Sequence, residues 1–127
     1  MKLVRMSAAV AAAGLLAACA AMTPSSTPAK VADGVLVGPN GMTLYTFDRD
    51  AAGSGKSVCN GPCATNWPPL MVSGSGGGAG GFSAVPRDDG GRQWAFKGKP
   101  LYYWVKDQKP GDRTGDGFNN VWRLARP

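Results

Sequence analysis

The chain has 127 residues, carries 14 Lys and Arg against eight acids, and contains 19 Gly and ten Pro beside four Trp. It has no His, which excludes a Ser/His/Asp triad, c-type haem attachment and the usual His-bearing zinc sites. The formal net charge of +6 implies weak attraction to anionic polymers or lipid head groups but names no partner, and no nucleic-acid fingerprint accompanies it.

The segment 1–18 reads as a targeting signal. Lys2 and Arg5 form a basic start, and Ala8 to Ala18 is apolar but too short to span a bilayer. The run ends Leu16-Ala17-Ala18-Cys19, which resembles a bacterial lipobox, so Cys19 is the expected lipidation site and the membrane an expected partner through that lipid. Because Ala20 rather than Asp follows, a host with two membranes would sort the protein to its outer membrane. Cleavage removes Lys2 and Arg5, leaving 12 basic residues against eight Asp, a net charge of +4. Residues 19–34 then read as the lipidated Cys and a flexible Pro/Ser/Thr tether.

Residues 35–127 are expected to form one small, mainly all-β domain of two pseudo-repeated hairpin or meander units. Val35 to Val37, a Gly38-Pro39-Asn40-Gly41 turn and Met42 to Phe47 read as strand, turn, strand. The first unit covers about 35–72. Ser73 to Gly81 (SGSGGGAGG) is a connector, and the second unit covers about 82–127. Phe82 to Arg87, Arg92 to Phe96 and Leu101 to Val105 are expected to form a three-stranded meander, with Pro86 placing its first strand at an edge or a bulge. Val121 to Ala125 is expected to be a final strand.

The duplication is visible in one motif. Leu44-Tyr45-Thr46-Phe47-Asp48-Arg49-Asp50 returns in the second unit as Leu101-Tyr102-Tyr103-Trp104-Val105-Lys106-Asp107, and Gly41 and Gly98 precede the two leucines at the same spacing. Trp67 follows the first copy and Trp122 the second. At a strand period of two, Tyr45 and Phe47 share one face, as do Tyr102 and Trp104. Asp50 and Asp107 fall at the strand exits, where a carboxylate can accept backbone N–H groups of a turn. The Tyr/Asp pairs read either as a ligand or proton-transfer site, or as fold fasteners with Tyr in the core and Asp locking the turn. The second reading is favoured, because both devices are common in folds.

Three other clusters invite chemistry. Gly53-Ser54-Gly55-Lys56-Ser57 resembles the end of a phosphate-binding loop, but Asp50 stands where that loop needs glycine and no apolar helix follows. Asp107, Asp112 and Asp116 lie in a glycine-rich loop, yet their spacing fits no EF-hand, and they read as turn residues. Cys59-Asn60-Gly61-Pro62-Cys63 reads as a local disulfide in an oxidising compartment, the only other cysteine being Cys19. The alternative is a periplasmic redox or copper-handling pair, weakened by the missing histidines. No metal site, cofactor or catalytic constellation is expected.

The pattern Tyr45, Phe47, Asp50 and Tyr102, Trp104, Asp107, with Cys59, Gly61, Cys63, Ala64, Trp67-Pro68-Pro69-Leu70, Gly98, Pro110-Gly111, Gly115 and Trp122, resembles the bacterial secreted-repeat lipoproteins with a Tyr-x-(Phe/Trp/Tyr)-x-x-Asp motif. The resemblance covers nearly all of residues 35–127. It implies an envelope lipoprotein with a tandem repeat and no established activity. The expectation is therefore a non-enzymatic binding or structural module, whose further partners are anionic envelope polymers or an envelope protein.

Overall fold

The structure is a computed structural model that describes residues 27–74 and 78–127. The expected signal and Cys19 lie outside the described residues, and no helix among those described is long and apolar enough to cross a membrane. Among the described residues the architecture is all-β, built from seven short strands in three small sheets with one helical turn. In chain order these are β1 (Lys30–Ala32), β2 (Val35–Val37), β3 (Tyr45–Phe47), α1 (Pro62–Asn66), β4 (Phe82–Pro86), β5 (Arg92–Phe96), β6 (Lys99–Pro100) and β7 (Trp122–Leu124), with a 3-10 turn over Phe118–Asn120 before the last strand.

β1 corrects the tether boundary. Lys30–Ala32 pairs antiparallel with β2, and Ala29 is buried in the core, so the folded part begins before residue 35. The strand is exposed on both faces, so hydrophobic patterning gives it no signature. Its turn does have one. Asp33 and Gly34 both adopt left-handed φ values, 50° and 81°, as the two-residue turn of a tight hairpin requires.

The meander forms as β4-β5-β6, with β4 at the edge that Pro86 requires. Its third strand is shorter than expected. β6 stops at Pro100, and after Leu101 N–H has donated to the Trp94 carbonyl in β5 the backbone bonds turn elsewhere: the Leu101 carbonyl accepts from Leu70 N–H at 2.9 Å, and Tyr102 N–H donates to the Tyr45 carbonyl at 3.0 Å.

That exchange is the organising feature of the fold. Tyr45 N–H also donates to the Tyr102 carbonyl at 2.8 Å, so the two motif tyrosines form one antiparallel bridge at the centre of the molecule. Around it each half is completed by the other. β7, from the second repeat, pairs with β3 of the first, setting Tyr45 opposite Leu124 and Phe47 opposite Trp122. The corresponding stretch of the first repeat pairs with the second: Pro69 bridges Tyr102, Tyr103 N–H donates to the Pro68 carbonyl, and Val105 N–H donates to the Asn66 carbonyl. The flanking bonds repeat too, since Ala125 N–H to the Leu44 carbonyl matches Leu70 N–H to the Leu101 carbonyl. The halves are thus related by a pseudo-twofold axis and interleaved.

Strand alternation sorts side chains into two cores. Leu44 and Leu101 point to one, with Leu36, Leu70, Phe82 and Trp94. Tyr45, Phe47, Tyr102 and Trp104 point to the other, with Trp67, Trp122 and Cys59. Gly41 and Gly98 sit at φ 83° and 82° in the turns that launch the two motif strands, a conformation other residues rarely adopt. Gly115 is required by closeness instead: a Cβ there would stand 2.7 Å from Trp67 and 3.0 Å from Trp104.

Candidate functional site

The motif residues build a doubled, crossed arrangement. Tyr45 Oη donates to Asp107 Oδ2 at 2.7 Å, and Tyr102 Oη donates to Asp50 Oδ2 at 2.5 Å. Each phenol therefore binds the carboxylate of the other repeat. The second oxygen of each carboxylate locks its own turn: Asp50 Oδ1 accepts Val58 N–H at 2.7 Å, and Asp107 Oδ1 accepts Thr114 N–H at 3.0 Å and its hydroxyl at 2.6 Å. Both tyrosines are fully buried. Burial, and then the neighbouring Asp107 or Asp50, hold both phenols well above their ordinary ionisation range, so they stay protonated as donors.

Beside these pairs the aromatic rings form a continuous stack. Trp67 lies on Trp122 with centroids 3.8 Å apart and planes 5° from parallel. Trp104 stacks on the outer face of Trp67 at 4.0 Å, and Phe47 on Trp122 at 4.3 Å. The motif aromatic of each repeat thus caps the tryptophan of the other. Tyr45 and Tyr102 meet Trp67 and Trp122 edge-on at 5.4 and 5.1 Å. Such geometries each add about 0.5–1.5 kcal/mol beyond simple burial.

One asymmetric element reinforces the first repeat. Arg87, whose side chain is 1% exposed, donates to Ser57 Oγ at 3.1 Å, Gln93 Oε1 at 2.7 Å and the Cys59 carbonyl at 2.8 Å, and pairs with Asp89 at 2.7 Å. Ser57 Oγ lies 2.6 Å from Tyr102 Oη, whose own proton goes to Asp50. The result is a directed chain of donors from the guanidinium through Ser57 and Tyr102 to the carboxylate. Sequence reasoning missed Arg87 and Ser57. The available signal was weak: Ser57 and Thr114 occupy equivalent places after Asp50 and Asp107 in the two copies, both with a hydroxyl.

Cys59 and Cys63 form a disulfide, with Cα atoms 5.2 Å apart. Cys59 is fully buried in the aromatic core, and Cys63 is half-buried in α1, the turn that carries the chain to Trp67. Asp112 accepts Gln108 and Lys109 N–H groups, and Asp116 accepts Leu124 N–H, so the Asp-rich loop closes turns and a strand end. Among the described residues no group of three or more His, Cys, Asp or Glu converges to hold a metal ion.

A family model described as a secreted repeat of unknown function matches residues 27–71 and again 83–126. The chain belongs to that family. Each match carries one Tyr and one Asp of the crossed arrangement, so the secreted repeat is a sequence unit whose partners lie in its neighbour. The first match starts at residue 27 and so includes β1. No curated protein and no solved structure matches the chain.

The secreted repeat leaves a concavity beside its ring stack. This cleft of about 340 Å³ is lined by Trp67 and Trp122 at its base, Cys63, Asn66 and Arg49 from the first repeat, and Phe118, Asn119 and Val121 from the second. The Tyr/Asp pairs do not line it.

Proposed function

We propose that the protein is a non-enzymatic binding module of the cell envelope, tethered by a lipid on Cys19 and binding through the cleft beside the tryptophan stack. One observation carries this reading. The groups of the repeated motif that could do acid–base chemistry are buried and engaged with each other, whereas the polar side chains around the cleft are engaged with nothing among the described residues. The motif thus serves the fold, and the unspent recognition chemistry lies at the cleft. Membership of a secreted family and the Leu16-Ala17-Ala18-Cys19 sequence support an envelope address, with the outer membrane as destination in a host that has two. The alternative redox or copper role for Cys59 and Cys63 gains no support, because Cys59 is sealed in the core and its carbonyl is held by Arg87.

Two measurements test the proposal. Cys19→Ser should release the protein into the soluble fraction or leave it as the unprocessed precursor, and a variant that still matures to the same membrane-bound species overturns the lipid anchor. The soluble Cys19→Ser protein should co-sediment with washed envelope fragments, and Phe118→Ala should weaken that retention without changing the fold. Equal retention of both proteins overturns the cleft as the binding surface.

A further inference from the structure

The cleft straddles the pseudo-twofold axis, yet its wall breaks the symmetry that the rest of the fold keeps. With Trp67 aligned on Trp122, Cys63 corresponds to Phe118 and Asn66 to Val121. All six line the cleft, but only the tryptophans are alike. The base is therefore common scaffold, and the rim is where the repeats differ.

Three rim residues have side chains with no polar partner in the fold. Among the described residues, the side chains of Arg49, Asn66 and Asn119 make no hydrogen bond or ion pair. The nearby Asp48, which would otherwise be the natural partner of Arg49, is taken by Arg123 at 2.8 Å. Among the described residues no acid lines the cleft, so the Arg49 charge is uncompensated there. Phe118 is 40% exposed and rests on the ring edges of Trp67 and Trp104, with centroids 5.8 and 4.8 Å away. Asn119 and Asn120, at φ 50° and 60°, hold that ring at the rim.

Resting on the binding reading above, we infer that the cleft takes a carboxylated, N-acetylated sugar. Each element of that ligand has a counterpart. The apolar face of a sugar ring packs on Phe118 and the tryptophan edges. Asn66 and Asn119 each offer an amide donor and acceptor, suited to an acetamido group and ring hydroxyls. Arg49 meets the carboxylate with a fixed fork of donors. A neutral sugar would leave Arg49 unused, and a simple anion would leave the ring surface unused. The volume lies at the small end of the range for ligand sites, roughly 300–1,000 Å³.

The probes are two disaccharides: N-acetylglucosaminyl-N-acetylmuramic acid, and N,N′-diacetylchitobiose (hereafter chitobiose), which keeps the acetamido groups but lacks the lactyl carboxylate. Binding to the soluble Cys19→Ser protein is followed by the fluorescence of Trp67 and Trp122, with inorganic phosphate as the plain anion. The acidic disaccharide should bind and chitobiose should bind at least about tenfold more weakly, the loss expected for one charged hydrogen bond. Arg49→Ala should bring the acidic sugar down to the chitobiose level, Arg49→Lys should restore part of the difference, and Phe118→Ala should weaken both sugars. Arg49 is exposed and unpaired among the described residues, so its variants keep the fold, which circular dichroism checks. Equal binding of the two disaccharides, displacement of the acidic sugar by phosphate at similar concentration, or no binding of either sugar overturns the inference. If the sugars fail while Phe118→Ala still abolishes retention on envelope fragments, the sugar assignment falls and the binding module stands. If retention is also unaffected, both fall.

Discussion

At the scale of single residues, the motif is explained by what its hydroxyls and carboxylates do for each other. Tyr102→Phe removes one oxygen from the core and leaves Asp50 Oδ2 without its donor and the Ser57 hydroxyl without its acceptor, while Val58 N–H still serves Asp50 Oδ1 and Arg87 still serves Ser57 Oγ. A buried group left without its hydrogen bond costs about 1–3 kcal/mol, so urea unfolding of Tyr102→Phe should show a loss of that size. Tyr45→Phe should cost a similar amount, because it leaves Asp107 Oδ2 without its donor and the buried Gly115 N–H without its acceptor, while Thr114 still serves Asp107 Oδ1. The phenols also set the alkaline limit. A group whose folded pKa is raised above its unfolded value contributes stability that is complete below the unfolded value and is lost as pH rises towards the folded one. For Tyr45 and Tyr102 the unfolded value is about 10.0, and Tyr103 is shifted the same way by burial. Stability should therefore hold up to about that pH and fall above it, and tyrosinate absorbance should emerge together with unfolding. A smooth phenolate titration near pH 10.0 in protein that is still folded would contradict the geometry.

At the scale of elements, the disulfide turn is the clearest addition made by one repeat alone. Closing so short a loop stabilises by about 2 kcal/mol in the chain-entropy estimate. Cys63→Ser should lose about that much, since its side chain is half-buried beside the cleft. Cys59→Ser should lose more, because it also buries a hydroxyl within the aromatic core. Thermal melts of both variants, and of the double variant, check this order, with the double no worse than the Cys59 single because both changes break the same bond. The strands show what sequence can reveal about elements. β4, β5 and β7 were legible because alternating aromatic and β-branched residues were bounded by turn signals such as Asp88-Asp89-Gly90-Gly91. β1 was not, since its side chains bury nothing. The inward faces of Tyr45, Phe47, Tyr102 and Trp104 followed from a period of two, and the turn-locking role of Asp50 and Asp107 from their position at strand exits. The crossing of partners was invisible, because a repeat read along the chain suggests that each Tyr serves its own half. Arg87 was hidden for a related reason, as nothing local marks an arginine that reaches 30 residues back to Ser57. The cleft was hidden too, since Arg49, Asn66 and Phe118 are brought together only by the interleaving.

At the scale of the whole molecule, interleaving makes neither repeat a folding unit. Without its partner, the first half loses β7 from the side of β3, the donor to Asp50, and the ring that stacks on Phe47. The second half loses the Pro69 bridge, the donor to Asp107, and the ring beneath Trp104. Each fragment would expose a strand edge, an unpaired carboxylate and apolar ring faces together, and none of these can be repaired within one half. Residues 27–74 and 78–127 made as separate chains should therefore show no cooperative urea transition alone. The covalent link between the halves does not change which contacts form; it sets how often the halves meet. Joining two partners in one chain gives an effective concentration on the order of mM, so cutting the link and working near 1 μM should cost roughly 4 kcal/mol by simple mass action. Mixed in equal amounts at higher concentration, the halves should regain the near-ultraviolet dichroism of the stacked tryptophans, with a midpoint that rises with protein concentration as a two-chain complex requires. Cooperative unfolding of either half alone, independent of concentration, would mean that the crossed Tyr–Asp bonds and shared ring stack are dispensable, and the account of the motif as a mutual fastening of two repeats would fail.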